Sequence, residues 1–175
     1  SVYCDNEDGA AQVADYFFAN GAQRPAFIGG SPTTSVSLER RDGFVKRIEE
    51  FYGYQPIVRE AGANDYAKGY AMAKTMLALP KPPDAYFCSS DLIAVGLVDA
   101  MRDTNIGDAR DLPLVVGFGR SMLSRLKAYD LLSVALPMEE MVRTATSHLI
   151  DTLDEGGARP EEIVFPCELL PKPVV

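Results

Sequence analysis

The feature that most constrains this chain's fold is a regular alternation between short apolar runs and segments with the periodicity of an amphipathic helix. The apolar runs predict strands at 1–4, 25–30, 55–60, 83–90, 112–118, 131–136 and 161–170. The segments between them predict helices at 5–21, 37–52, 65–79, 91–104 and 138–155. Strands that alternate with helices of this length form βαβ units with right-handed crossovers. We therefore expect a doubly wound α/β fold around a mainly parallel sheet, with GDARDLP (107–113) as a loop.

Composition and charge limit the classes of function. The chain has 175 residues, 47% of them hydrophobic, which is enough for one core but short for two domains. Its formal net charge of −8 argues against unaided nucleic-acid binding, because an acidic surface repels phosphate groups. The sequence shows no membrane-spanning run and no export signal, and its cysteines are odd in number and widely spaced. These features predict a cytoplasmic protein, in a reducing compartment, with no membrane partner.

Recognisable catalytic and metal-binding motifs are missing from the sequence. His148 is the single histidine, and it lies beside the apolar stripe of the last predicted helix, where a structural role is typical. GFGRSM begins like a dinucleotide-binding fingerprint, but Met122 stands at the position of the third glycine. Cys4, Cys88 and Cys167 are not spaced as metal ligands, and core or surface positions suit them. We expect a protein that is not an enzyme and that holds neither a cofactor nor a metal.

The predicted helix 91–104 is apolar almost all round. Between Leu92 and Met101 its single charged residue is Asp99. One face of such a helix meets the sheet, so the opposite face needs a second partner. Either neighbouring helices of the same chain bury that face, or it forms a subunit interface in a homodimer. In the second case the interface residues are Leu92, Val95, Leu97 and Met101.

Polar residues stand where several predicted strands end. In α/β sheets, ligands bind in the loops that follow the carboxyl ends of the strands. Ser90 and Asp91 come where the fourth strand passes into a helix, and they suit both a helix start and a ligand contact. We assign Asp5 and Asn6 to helix capping and hinge geometry. Arg120 places a cation in the loop after LPLVVGF.

Several segments, in order along the chain, resemble the effector-binding core of LacI-family transcription regulators. VYCDNEDGA resembles the family's opening V-x-x-D-N-x-x-G-A, and ERRDGF matches its R-x-x-G-F. PDAYFCSSDLIAVGLVDAM resembles P-D-A-I-F-x-x-N-D-x-x-A-x-G, with Ser90 in place of the asparagine. LPLVVGFGRS resembles I-S-V-V-G-F-D-D, with Gly119 and Arg120 in place of both aspartates. FFANGAQRPAFIGG and LLSVALPMEEM are similar to two further segments of the family.

The resemblance implies a type I periplasmic-binding-protein fold and a chain that starts at the hinge between two lobes. It would hold the C-terminal lobe, about 1–130 and 160–175, and a returning segment, about 131–159, that belongs to the N-terminal lobe. The apolar stripe of that segment's helix would then lack its partner. The DNA-binding headpiece would lie elsewhere in the parent protein. The expected function is the ligand-sensing, dimerising module of a repressor, and the alternative is a solute-binding protein of a sugar transporter with the same fold.

The resemblance also implies that further residues, in addition to Ser90 and Asp91, bind a small polar effector. Arg40 matches the arginine that clamps polar groups of the effector, and a guanidinium suits hydroxyl pairs or carboxylates. Ser35 and Ser37 lie where relatives place small polar contacts. Asn64 stands where the family often has a stacking aromatic, and Tyr66 is the nearer aromatic in this chain.

Arg120 departs from the family in a way that predicts the charge of the effector. Sugar-binding relatives commonly use an aspartate of the G-F-D-D loop to accept hydrogen bonds from hydroxyl groups. This chain has Gly119 and Arg120 there, so an acceptor is lost and a cation is gained. An anionic effector held between Arg40 and Arg120 follows from this exchange. Alternatively, Arg120 points to solvent or pairs with an acid such as Asp91.

Overall fold

The computed structural model describes residues 1–104, 112–155 and 162–170. The strands in these residues are β1 (Val2–Cys4), β2 (Pro25–Gly29), β3 (Ile57–Glu60), β4 (Ala85–Cys88), β5 (Leu114–Phe118), β6 (Leu132–Ala135), β7 (Ile163–Phe165) and β8 (Glu168–Leu170). The helices are α1 (Asn6–Ala19), α2 (Ser35–Tyr52), α3 (Tyr66–Leu77), α4 (Asp91–Asp103) and α5 (Met138–Glu155). Most of the loop predicted at 107–113 lies outside the described residues.

Six strands form one sheet in the order β3-β2-β4-β5-β6-β8. The first five run parallel, and β8 lies antiparallel to β6 at the edge. Helices α1 and α2 cover one face of this sheet, and α3 and α4 cover the other. The predicted doubly wound, mainly parallel α/β fold is confirmed.

Alternate side chains of the central strands supply the two cores. Phe27 of β2 and Phe87 of β4 point towards α1 and α2, where their rings lie 6.2 and 5.2 Å from the ring of Phe44. Ile28 and Tyr86 point to the opposite side, towards α3 and α4. Because both faces are covered, the central strands appear in the sequence as continuous apolar runs.

Side-chain caps explain where three of the helices begin. Asp5, Asp65 and Ser90 each accept a hydrogen bond from a backbone N–H in the first turn of α1, α3 and α4, at 2.9–3.5 Å. Such caps satisfy N–H groups that have no partner within the helix. The capping roles predicted for Asp5 and Ser90 are confirmed, whereas Thr34 before α2 makes no side-chain cap bond.

Helices α3 and α4 approach each other until their backbones touch. A Cβ added to Gly69 would lie 2.8 Å from the Cα of Ile93. A Cβ added to Gly96 would lie 2.6 Å from the carbonyl oxygen of Tyr66. The two glycines therefore allow α3 to cover the second face of α4.

This contact decides between the two interpretations of α4. Val95, Leu97 and Met101 are 3%, 0% and 6% exposed, in the core that α4 shares with α3 and the sheet. The prediction that these three residues form a dimer interface is wrong, because the chain itself covers that face. Leu92 stays at the surface, with 39% of its area exposed.

The end of the chain forms two strands where a single strand was predicted at 161–170. β7 pairs in parallel with β1 in a separate two-stranded sheet, whereas β8 joins β6 in the main sheet. Pro166 lies between them and has no N–H with which to continue a ladder. β6 pairs with β5 in the main sheet, although it lies in the segment, about 131–159, that the resemblance assigns to the N-terminal lobe.

Helix α5 occupies the predicted residues, but most of its apolar stripe is uncovered. Met141 packs against the core, with its Sδ 3.1 Å from the Sγ of Cys4. The other large apolar residues of the helix are 52–73% exposed: Met138, Val142, Leu149, Ile150 and Leu153. Among the described residues, most of the stripe therefore has no element that covers it. None of the described helices is long and apolar enough to span a bilayer.

Replacing Gly96 with alanine tests the contact between α3 and α4. Alanine has the higher helix propensity by about 1 kcal/mol, so propensity alone predicts a more stable protein. The added methyl group would meet the Tyr66 carbonyl oxygen at 2.6 Å, and we expect the free energy of unfolding to fall by about 1–3 kcal/mol. Urea denaturation of Gly96→Ala measures the sign, and a gain in stability would contradict the close contact.

Candidate functional site

The parallel strands β2, β3, β4 and β5 end at one edge of the main sheet, which we term the carboxyl edge. It consists of the residues that end or follow these strands: Gly29, Gly30, Glu60, Ser89, Ser90, Gly119 and Arg120. Arg40, in the second turn of α2, reaches the same edge through a hydrogen bond to the carbonyl oxygen of Ser89. Both predicted arginines therefore lie along one edge of the sheet.

Three groups of the chain hold the guanidinium of Arg40 in place. Its Cζ lies 3.7 Å from the centroid of the Phe118 ring. Nε donates to Oδ1 of Asn6 at 2.9 Å, and Nη1 donates to the carbonyl oxygen of Ser89 at 2.8 Å. Burial lowers the pKa of Arg40 to about 10, so the group stays charged at neutral pH. Since a guanidinium has five N–H donors, Arg40 is a fixed cation with donors to spare.

Asn6 supports Arg40 in a way that the sequence did not reveal. It is 6% exposed, and its Nδ2 donates to Oε2 of Glu39 at 2.8 Å and to the carbonyl oxygen of Cys4 at 3.3 Å. Its Oδ1 accepts the bond from Arg40. Asn6 thus ties the guanidinium to the junction between β1 and α1.

Asp91 is an internal anchor. It is 2% exposed, and both of its carboxylate oxygens accept hydrogen bonds from the chain. Oδ1 accepts from the hydroxyl of Ser133 at 2.7 Å, and Oδ2 accepts from the N–H of Ser121 at 2.5 Å. The first turn of α4 also favours an anion at this position. Asp91 therefore does not offer the predicted effector contact, whereas the partly exposed Ser90 lies at the surface of the edge.

Arg120 lies on the loop that Asp91 anchors. Gly119 and Arg120 have φ angles of 116° and 44°, and the N–H of Arg120 donates to Oγ of Ser133 at 2.9 Å. The left-handed conformation costs a non-glycine residue about 1–2 kcal/mol, and such residues cluster at functional sites. Across the part of the chain that the structure describes, the Arg120 guanidinium makes no hydrogen bond or ion pair. The alternative in which it pairs with Asp91 is wrong.

Asn64, Ser35 and Ser37 lie near the carboxyl edge in different environments. Oδ1 of Asn64 accepts from the hydroxyl of Ser89 at 3.3 Å. Ser35 is exposed at the start of α2. Ser37 is 4% exposed, and within the described residues its Oγ has no hydrogen-bond partner. Asn64 and Ser35 are therefore open to a ligand, whereas Ser37 faces the interior.

Tyr66 lies away from the carboxyl edge. Its hydroxyl donates to Oδ2 of Asp99 at 3.0 Å, and the hydroxyl of Tyr129 donates to the same oxygen at 3.1 Å. Asp99 is about two turns along α4 from the strand ends. The predicted contribution of Tyr66 to effector binding is wrong, because this hydrogen bond directs the side chain along the surface of α3 and α4.

Glu60 is a residue of the carboxyl edge that no sequence motif identified. It ends β3, and a Cβ added to Gly29 would clash with its carboxylate. Its Oε2 is buried and has no hydrogen-bond partner among the described residues. Burial raises the pKa of Glu60, against the opposing influence of the Arg41 charge. An acid at the end of an apolar strand, beside a Gly-Gly pair, is the signal that could have identified it.

The side chains at this edge suit noncovalent recognition of a polar molecule. All three cysteines are buried and form no disulfide, and burial raises the pKa of Cys167 to about 12. The described residues contain no group of three or more side chains that could hold a metal ion. The edge offers charged donors, amide and hydroxyl groups, and one carboxylate.

The sheet order and the charged loops along one edge are typical of ligand-binding domains of the α/β class. Residues 14–172 match the model of the periplasmic binding protein-like domain. The chain belongs to this family.

The curated relatives that it matches include transcriptional repressors. The HTH-type transcriptional repressor CytR of Escherichia coli is 26% identical over 173 residues, which cover 97% of this chain and 50% of CytR. The HTH-type transcriptional repressor MelR of Bacillus subtilis is 27% identical over 177 residues, which cover 97% of this chain and 51% of MelR. This chain thus spans about half the length of these relatives.

Solved structures show the same fold. The lactose repressor bound to the anti-inducer ONPF is 22% identical with a TM-score of 0.88, and the match covers 100% of this chain and 64% of that one. A LacI family transcriptional regulator from Mycobacterium smegmatis is 24% identical with a TM-score of 0.85, and the match covers 97% of this chain and 63% of that one. The predicted resemblance to LacI-family regulators is confirmed. The curated relatives are repressors rather than enzymes, in agreement with the predicted class.

Replacing Asp91 with alanine tests its role as an anchor. The change leaves the Ser121 N–H and the Ser133 hydroxyl without their acceptor, so we expect the free energy of unfolding to fall by about 3 kcal/mol. Ser90→Ala, one residue earlier, removes a helix cap and is expected to cost about 1 kcal/mol. Denaturant unfolding compares the two variants, and equal losses would argue against the anchor.

Proposed function

We propose that this chain is the ligand-sensing and dimerising module of a LacI-type transcriptional regulator, and that it binds a small polar effector at the carboxyl edge. The observation that carries the proposal is the fixed guanidinium of Arg40, which shares this edge with the unpaired guanidinium of Arg120. A cation that is already held in place loses little conformational entropy when it binds a ligand. The repressor relatives favour a regulator over the solute-binding protein of a transporter.

The charges at the edge favour an anionic effector, such as a sugar acid or a sugar phosphate. Arg40 reaches the end of β4 and Arg120 follows the neighbouring strand β5, in a chain with a formal net charge of −8. A guanidinium can donate two parallel hydrogen bonds to a carboxylate or a phosphate. Ser90 and Asn64 add uncharged groups that suit the hydroxyls of a sugar.

The uncovered stripe of α5 is an argument for a second lobe in a longer protein. We infer that α5 belongs with an N-terminal lobe and that a DNA-binding headpiece lies elsewhere in a longer protein. The relatives are about twice as long as this chain, and the large apolar side chains of the stripe are 52–73% exposed. A lobe packed on this stripe would stand over the carboxyl edge and close a cleft around the effector.

A homodimer would form through the surface next to Leu92. Leu92 and Met122 are 39% and 71% exposed, and their chain neighbours Asp91 and Ser121 are joined by a hydrogen bond. Neighbouring exposed apolar side chains are typical of interaction surfaces. The proposed interface is therefore this patch, with the buried residues of α4 supporting it from within.

Replacing Arg120 with glutamine removes the charge and keeps most of the side chain. We expect the affinity for a sugar acid to fall at least tenfold, about 1.4 kcal/mol, because the variant lacks the unpaired cation. Arg125→Gln makes the same change at an exposed position of the same loop, and its affinity should match the wild type. Thermal-shift and calorimetric titrations of the full natural protein, with neutral sugars, sugar acids, sugar phosphates and purines, measure both.

A protein that binds neutral monosaccharides but no acid or phosphate would contradict the anionic effector. Equal losses of affinity in Arg120→Gln and Arg125→Gln would show that the net charge of the loop matters, rather than a contact with Arg120.

Replacing Leu92 with glutamate tests the proposed dimer patch. A carboxylate in an apolar interface is unpaired and desolvated, so we expect the variant to sediment as a monomer. Leu112→Glu is the matched control, because Leu112 is 51% exposed near the opposite end of the sheet. Analytical ultracentrifugation of the full natural protein measures both masses. An unchanged mass for Leu92→Glu would remove this patch from the interface.

A further inference from the structure

The carboxylate of Glu60 occupies the space that the missing side chain of Gly29 leaves. The two residues are partners across β2 and β3. Phe27 and Gly29 lie on the same side of β2, which is the side covered by α1 and α2. Since a Cβ on Gly29 would clash with the carboxylate, Glu60 lies on this side as well, towards the start of α2.

The carboxylate of Glu60 has a buried oxygen that no hydrogen bond satisfies among the described residues. This oxygen is Oε2, although Glu60 as a whole is partly exposed. The guanidinium of Arg41 donates to Asp42 at 2.8 Å instead. Ser37, on the same side of the sheet, likewise has a buried Oγ without a partner. An ionised carboxylate removed from water without donors destabilises the folded state, so these contacts give Glu60 no structural role.

Glu60 and Arg120 lie at opposite ends of the carboxyl edge. In the order β3-β2-β4-β5, three steps separate the strands that they follow or end, which is about 14 Å at about 4.8 Å per step. Arg40 lies between them, bonded to the carbonyl oxygen of Ser89 after β4. The edge thus has an unpaired acid at one end, an unpaired cation at the other, and a fixed cation between them.

We propose that Glu60 is a specificity-determining residue of the effector site, which accepts hydrogen bonds from hydroxyl groups at the end of the effector remote from its anionic group. This inference rests on the proposed function. Glu60 selects a hydroxylated acid over an acid without hydroxyl groups. An acid without hydroxyl groups would leave the carboxylate oxygens of Glu60 without a hydrogen-bond donor. Glu60 also selects against an acid with two anionic ends, because the second anion would meet a like charge.

Calorimetric titration of the full natural protein tests the role of Glu60. The probes are D-glucuronate, D-gluconate and glucose 6-phosphate, with the dicarboxylate D-glucarate as the molecule with two anionic ends. The variant is Glu60→Gln, and its matched control is Glu49→Gln, which removes the same charge at an exposed position of α2. Calorimetry separates affinity from the number of sites, so a partly unfolded variant shows fewer sites rather than a changed affinity.

We expect Glu60→Gln to bind the hydroxylated acids at least tenfold more weakly than the wild type, and Glu49→Gln to bind them within twofold. The wild type should also bind D-glucarate at least tenfold more weakly than D-glucuronate, and Glu60→Gln should reduce this preference. If Glu60 had a purely structural role, Glu60→Gln would change the stability of the protein and leave these affinities unaltered.

The outcomes separate this inference from the function on which it rests. If Glu60→Gln keeps the wild-type affinity while Arg120→Gln loses it, the role of Glu60 is overturned and the anionic effector stands. If none of the probes binds the wild type, the proposed effector class is overturned, and the role of Glu60 falls with it.

Discussion

The buried carboxylate of Asp91 is the constraint on which the carboxyl edge depends. A charge removed from water needs donors, and the loop after β5 and strand β6 supply them through the N–H of Ser121 and the hydroxyl of Ser133. Ser133 in turn accepts from the N–H of Arg120. The position of the Arg120 backbone, including its left-handed conformation, therefore follows from the need to satisfy an acid at the start of α4.

Arg40 and Asp91 are buried groups of opposite charge, and hydrogen bonds from the chain hold both of them. Each is held by groups of several elements, which fixes the geometry of the edge before any ligand arrives. Arg120 and Glu60 differ from them, because neither side chain has a hydrogen-bond partner in the described residues. The edge thus combines charges that stabilise the protein with charges that are available for recognition.

Motifs in the sequence predicted the fold and part of the site. The central strands are buried on both faces, so they appear as continuous apolar runs that predict a sheet. The R-x-x-G-F segment identified Arg40. The bonds from Arg40 to Asn6 and Ser89 depend on distant segments that meet only in the folded chain. The burial of Leu97 was equally hidden, because an apolar helix face looks the same whether its own chain or a second chain covers it. Glu60 was missed because the acid that ends β3 meets Gly29 only in the folded chain.

The small β1–β7 pair has a mechanical consequence. Three connections join α5 and this pair to the main sheet: one between β1 and α1, one between β6 and α5, and one between β7 and β8. They are held side by side, since the N–H of Asp5 donates to the carbonyl oxygen of Phe165 at 2.9 Å and the thiol of Cys4 contacts Met141. A displacement of α5 would therefore act first on this junction, where Asn6 holds the Arg40 guanidinium.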